Sequence, residues 1–355
     1  MLDSPDGMFL PSSLWPAAYR SITNEPWPPV SRKRADAFVQ ACVANGLLSL
    51  LFEAEVPDCV RAALADVRAM ERANVRRTRL LLDAFGKLAA ILGDEPFVVL
   101  KGLDFAFRIY RAPHLRQMAD IDILVPRSRS GAVATRLREA GIRQSFPAGA
   151  ATRLASHHET VFELDGVTVE PHHGFIQRQR HNIDYDAVWQ RRLPFQVEGI
   201  ATFRLCDEDA ILYAALTLAT NAFDLPAIRY LDLCLLLDRY HGDLLLLASR
   251  ARQWRIERAY FAALDRTATV FPEILHRIRL DDLLTPGTRR FLRKRVLPTP
   301  IPRLRASRTQ QLWRKYQLMD GNRERFGFLI YHVFAAIGGN VTRLTRRGIG
   351  AVDRT

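Results

Sequence analysis

Asp120 and Asp122 are separated by one residue in Asp-Ile-Asp-Ile-Leu-Val (residues 120–125), where polar and apolar residues alternate up to Leu124. That is the period of a β-strand. Side chains at i and i+2 of a strand share a face, so the two carboxylates stand side by side while Ile121, Ile123 and Val125 point into a core. Two neighbouring carboxylates repel, and burying them unpaired is costly. A divalent cation removes that cost, and hard oxygen ligands suit Mg²⁺, with Mn²⁺ as the alternative. The other reading of the same residues is a strand end carrying two solvated acids.

The elements around this pair shift the balance toward the metal-binding reading. Pro96-Phe97-Val98-Val99-Leu100 reads as a strand, and Lys101-Gly102 opens a helical run from Leu103 to Tyr110. A glycine at that point lets backbone N–H groups approach a phosphate at a helix N-terminus. The run from Phe97 to Val125 carries Leu-Lys-Gly, an aliphatic helix ending in Tyr110, and then Arg116-x-x-x-Asp120-Ile-Asp122-Ile-Leu-Val. It resembles the uncharacterised nucleotidyltransferase family, and the resemblance continues weakly to about Leu237. The resemblance implies a polymerase-β-like core in which a short glycine loop holds a triphosphate. Two strand aspartates and a third acid from a neighbouring strand hold the metal in that core.

Downstream, Thr160 to Leu164 and Val167 to Glu170 alternate on either side of Asp165-Gly166, the signature of a two-residue hairpin turn. Leu164 then faces Val167 and Phe162 faces Val169, which leaves Glu163, Thr168 and Glu170 on the opposite face. Against the family pattern, Glu170 takes the place of the third acid, with Glu163 as the fallback. Two departures stand out: a glutamate replaces the family's aspartate, and Pro171 occupies a strand position. Proline cannot donate to a sheet, so this must be a strand end or an edge. His172 matches the family histidine; it is placed to bond a ligand phosphate or to orient Glu170, or else it is a hydrogen-bonded structural residue. His157 and His158 precede the hairpin. No H-x-E or H-E-x-x-H pattern points to a zinc hydrolase.

A chain of 355 residues with 48% hydrophobic content can bury a sizeable core. The four cysteines are far apart and read as small buried apolar residues. The N-terminus is acidic and unlike a signal peptide, and no uncharged apolar run is long enough for a membrane span, so the expectation is a cytoplasmic protein without a transmembrane segment. The net charge of +13 is uneven: residues 286–355 hold 16 Lys+Arg and 3 Asp+Glu, and the remainder is balanced at 35 and 35. Such a basic tail suits an anionic partner, namely RNA, an acidic protein or a membrane surface. A solvated arginine-rich tail is the plain alternative.

The expected fold class is α+β: a small mixed sheet of nucleotidyltransferase type flanked by helices, with an N-terminal helical pair and a C-terminal α-helical domain. Residues 1–92 form a proline-rich irregular arm and two helices, Arg34 to Ala54 and Val56 to Leu92. Residues 93–205 are the catalytic core, including a second hairpin about Glu198-Gly199. Residues 206–285 are a helical domain, in which Arg229 and Asp232 match a family R-x-x-D pattern and read as a structural i,i+3 pair, with closing the cleft as the alternative. Residues 286–355 are a linker and the basic tail. The expected activity is Mg²⁺-dependent transfer of a nucleotide from an NTP, first of all ATP, to an acceptor that the residues do not name, with release of pyrophosphate. In this reading Asp120, Asp122 and Glu170 are the catalytic and metal-binding residues, and Lys101, Gly102, Arg116 and His172 bind the nucleotide. The alternatives are a catalytically impaired nucleotide-binding member of the same fold acting as a partner protein, and an adaptor that works through its basic tail.

Overall fold

The computed structural model describes residues 31–145, 159–176, 180–271, 283–294 and 308–330. It is an α+β fold built on one seven-stranded mixed sheet. The strands are β1 (Val98–Val99), β2 (Asp120–Leu124), β3 (Arg143–Ser145), β4 (Val161–Leu164), β5 (Val167–His172), β6 (Leu193–Val197) and β7 (Ile200–Arg204). Their order is β3-β4-β5-β2-β1-β7-β6. The pairs β2–β5 and β1–β7 are parallel, and the others are antiparallel.

Both hairpins form at the expected turns. Asp165 and Gly166 adopt φ of 51° and 73°, and Glu198 and Gly199 adopt 48° and 77°. Left-handed conformations at both turn positions match the right-handed twist of the flanking strands. Leu164 therefore pairs with Val167, Phe162 with Val169, and Val197 with Ile200.

Each face of the sheet has its own core. One face is covered by α4 (Arg68–Leu92) and α6 (Ser130–Glu139); Leu81, Phe85, Leu88 and Leu92 pack there with Ile121, Ile123, Val125 and Val169. On the other face Val98, Leu100 and Leu124 meet a layer of helices. These are α1 (Arg32–Ala44), α2 (Leu48–Phe52), α3 (Asp58–Asp66), α7 (Tyr185–Gln190), α8 (Asp207–Thr220), α9 (Ala227–Asp238), α10 (Leu244–Gln253) and α11 (Glu257–Val270). Strand alternation puts Asp120 and Asp122 on the same side as Leu124, so they look toward this second layer.

Several boundaries differ from the sequence reading. The helix expected over Arg34 to Ala54 breaks after Ala44, because Gly46 takes φ +73° and a side chain there would press on Ile228. The helix expected over Val56 to Leu92 is two helices that meet at Val67, whose φ of −108° and ψ of 9° leave the helical range while its side chain is buried. The expected linker contains a helix, Pro286–Lys294, with proline at a first position where its missing N–H costs nothing. Asp320 accepts the backbone N–H groups of Glu257 and Arg258, which ties residues 308–330 to the start of α11. Residues 1–30, His157-His158 and most of the basic tail lie outside the described residues. Among the described residues no helix is long and apolar enough to cross a membrane.

A buried ion pair joins the sheet to the helical layer. Arg116, fully buried just ahead of β2, bonds Asp232 of α9 through Nη2 (2.7 Å) and Nε (3.0 and 3.2 Å). The Tyr110 hydroxyl donates to the same carboxylate at 2.9 Å. Removing one partner of such a pair strands the other charge without solvent, at a cost of about 3–5 kcal/mol. Asp232→Ala is therefore expected to lower the urea unfolding free energy by that amount, and Arg116→Met/Asp232→Leu to recover at least half of it. An equal loss in the double variant would show that the pair is not the cause.

Candidate active site

The register of β2 against β5 builds the site. Asp120 lies opposite Thr168, Asp122 opposite Glu170 and Leu124 opposite His172. In a sheet, residues opposite one another on neighbouring strands point to the same face. Asp122, Glu170 and His172 consequently converge on the side facing the helical layer. One ligand atom from each lies within 4.8 Å of the other two, and no other such group of three acidic, histidine or cysteine side chains occurs among the described residues. Asp120 is on the same face, one step nearer the start of the strand and partly exposed.

Pro171 is the penultimate residue of β5, a strand end as expected, although β5 is interior to the sheet. Its carbonyl accepts the Thr160 N–H at 3.0 Å, and it stays in register opposite Ile123. The proline therefore leaves Glu170 in place. Glu163 sits on the exposed part of β4 and is bonded to Arg143.

Lys101 and Gly102 belong to the first turn of α5 (Lys101–Arg108), which begins directly after β1. Lys101 Nζ lies 3.0 Å from Asp122 Oδ1, and His172 Nε2 lies 2.8 Å from the same oxygen. His172 Nε2 is also 3.5 Å from Glu170 Oε2. Asp122 is 1% exposed, and its second oxygen, Oδ2, is buried with no hydrogen-bond partner. A Cβ built on Gly102 would meet the Asp120 carbonyl oxygen at 3.6 Å, Met118 Sδ at 3.7 Å and Arg116 Nη1 at 3.8 Å. Gly102 thus leaves a methyl-sized niche beside the aspartates. Arg116, engaged with Asp232 through its other nitrogens, borders that niche with an Nη1 that has no hydrogen-bond partner.

The charges in this pocket shape one another. Burial raises the Asp122 carboxyl, but Lys101 and His172 outweigh it and hold the group well below the usual carboxylate range. Burial and the neighbouring Asp122 raise Asp120. Burial lowers the Lys101 ammonium, and Asp122 more than reverses this.

Three further residues border the pocket, of which the sequence reading passed over the first two. Glu159 forms an isolated bridge to His172, and its Oε2 lies 3.3 Å from His172 Nδ1. Counting outward from the Asp165-Gly166 turn puts residue 159 opposite residue 172, so the hairpin register held this signal. Tyr213 of α8 is buried within the field of Lys101 and Asp122, and burial pushes its hydroxyl up. Arg229 of α9 was read as the partner of Asp232. Asp232 instead turns to Arg116 and Tyr110, and among the described residues the Arg229 guanidinium makes no hydrogen bond or ion pair. Burial and Arg116 depress it, while the fields of Asp232, Asp120 and Asp122 support its charge. Nothing in the local sequence distinguishes these two outcomes, because the competing arginine is 116 residues away.

In metal-free protein His172 carries the clearest pH signature. Burial alone would lower its pKa, but the bonds to Asp122 and Glu170 raise it from 6.5 to about 9. A folded-state pKa above the unfolded value means stabilisation that is complete below about pH 6.5 and lost as pH rises through about 9. Imidazole NMR in EDTA is expected to show a midpoint near 9 for His172. A midpoint at or below 6.5 would show that burial prevails over the carboxylates.

Comparison with curated proteins finds no match. Comparison with protein families finds one described as uncharacterised nucleotidyltransferase, matching residues 31–272. That span takes in the sheet, both helical layers and every residue of the acidic pocket, so the chain belongs to the uncharacterised nucleotidyltransferase family.

Proposed function

We propose that this protein transfers a nucleotidyl group from an NTP to an acceptor hydroxyl with the help of a divalent cation. One observation carries the reading. Asp122 and Glu170 stand in register on adjacent parallel strands beside a glycine niche and a lysine, in a chain of nucleotidyltransferase ancestry. The buried, unpartnered Oδ2 of Asp122 next to two further ligand side chains fits a metal ion. Asp122 and Glu170, with Asp120 at the rim, would hold that ion. Bound there, it would neutralise phosphate charge as the bond to the leaving group breaks.

The chain's own residues account for the rest. The acceptor oxygen bonds to the α-phosphorus, the bond from that phosphorus to the β-phosphate oxygen breaks, and pyrophosphate leaves. Glu170, partly exposed on the strand face, takes the acceptor proton or passes it to solvent. Lys101, Arg116 and Arg229 supply positive charge near the aspartates. Arg229, with no hydrogen-bond or ion-pair partner among the described residues, is the cation most ready to take a phosphate oxygen. Gly102, lacking a side chain, lets a phosphate oxygen approach the first-turn N–H groups of α5. Mg²⁺ with ATP is the first combination to test.

Purified protein is incubated with each α-labelled NTP, Mg²⁺ or Mn²⁺, and a cell extract as acceptor pool. Asp122→Asn, checked for folding by circular dichroism, is expected to reduce transfer by about a hundredfold or more, in line with the loss of one preorganised charge. Unchanged transfer by a folded Asp122→Asn protein would sink the proposal. Gly102→Ala is expected to keep the fold, since its Cβ meets only ordinary contacts, and to weaken NTP binding measured by calorimetry by at least tenfold. Equal affinity for wild type and variant would move the polyphosphate away from this niche.

A further inference from the structure

We infer that His172 is itself a metal ligand, through Nε2, and that Glu159 orients it, so that the pocket is an Asp122–Glu170–His172 centre selecting a first-row transition-metal dication over Mg²⁺. The inference deepens the transferase reading and rests on it for the presence of a metal.

The argument starts from donor spacing. Two donors about 2.1 Å from one ion lie about 3 Å apart at a right angle and about 3.4 Å apart at the tetrahedral angle. His172 Nε2 lies 2.8 Å from Asp122 Oδ1 and 3.5 Å from Glu170 Oε2, which are the edges such a polyhedron would have. The imidazole is 3% exposed and Asp122 is 1% exposed, so neither side chain has room to turn to water instead. A cation at this position takes the place of the proton that Nε2 shares with the two carboxylates.

The other side of the ring supplies an independent observation. His172 Nδ1 lies 3.3 Å from Glu159 Oε2, within ion-pair reach although the angle is not that of a hydrogen bond, across the bridge that closes β4 onto the end of β5. A histidine that ligates a metal through one nitrogen characteristically directs the other toward a carboxylate, which sets the tautomer and aims the lone pair. A histidine serving only as a phosphate donor would need Nε2 open to the cleft, whereas here it is turned inward onto the acids. The unpartnered Asp122 Oδ2 provides a further oxygen in the same buried space.

Ligand chemistry then sets the preference. Carboxylate and water ligands suit Mg²⁺, and an imidazole shifts a site toward first-row transition metals in the Irving–Williams order. Lys101, 3.0 Å from Asp122 Oδ1, already offsets part of the acidic charge, which disfavours a second strongly hydrated cation on the same carboxylate.

The test uses the full chain stripped with EDTA and then given Mn²⁺ alone, without nucleotide. Pulsed EPR is expected to show ¹⁴N coupling from a directly bound imidazole, and His172→Gln to abolish it. Competition is expected to show Mn²⁺ held at least tenfold more tightly than Mg²⁺, with the ratio collapsing in His172→Asp. Glu159→Gln is expected to keep the ¹⁴N coupling while weakening Mn²⁺ by about 10–100-fold, as for other outer-shell carboxylates. Bound Mn²⁺ with oxygen couplings only, or ¹⁴N coupling that survives in His172→Gln, overturns the assignment and leaves the transferase reading standing. Failure to bind Mn²⁺ at all overturns both. The spectrum of the wild-type protein is decisive even if a His172 variant does not fold.

Discussion

The carboxylate of Asp122 is the constraint around which the protein is arranged. It lies almost wholly out of water, where an unpaired charge could not persist. One of its oxygens is held by two cations, Lys101 at 3.0 Å and His172 at 2.8 Å, and the other is left without a partner. Each neighbour comes from a different element: Lys101 from the helix that follows β1, and His172 from the end of β5. The two parallel strands and the first turn of α5 must therefore come together for the charge to be tolerated. Assembly of the sheet and assembly of the pocket are the same event.

The sheet face that carries these residues is only partly closed. Hydrophobic packing on Val98, Leu100 and Leu124 anchors the helical layer at one end of the strands. The Arg116–Asp232–Tyr110 cluster anchors it beside the glycine niche. Between these anchors lie Asp120, Glu170 and Arg229, each partly open. The opposite face has no such opening: Ile121, Ile123 and Val125 are sealed against α4 and α6. Strand alternation thus separates a purely apolar core from a charged pocket, and a one-residue slip of β2 would exchange them.

Arg116 and Arg229 show how partner choice divides labour among like charges. Both approach the aspartates, and both reach the neighbourhood of Asp232. Asp232 takes Arg116, with the tyrosine hydroxyl completing its coordination. Arg116 becomes part of the framework, showing the niche only one unbonded nitrogen, and Arg229 keeps a guanidinium that bonds no side chain among the described residues.

Much of this was legible in the chain. The alternation in residues 120–125 determined which side of β2 is apolar, and the Asp165-Gly166 pair determined the hairpin register, because both depend on local geometry. That register also carried the Glu159–His172 pairing. The Lys-Gly junction announced a helix opening beside the aspartates, and the family pattern singled out Glu170 and His172. Helix ends at Gly46 and Val67 were less legible, because a long apolar period hides a break that packing imposes. The parallel pairing of β2 with β5, the match of Arg116 to Asp232 and the freedom of Arg229 were decided only by the tertiary structure. Each joins residues dozens of positions apart, and the choice among equally charged candidates is made by distance and burial, which exist only once the chain has folded.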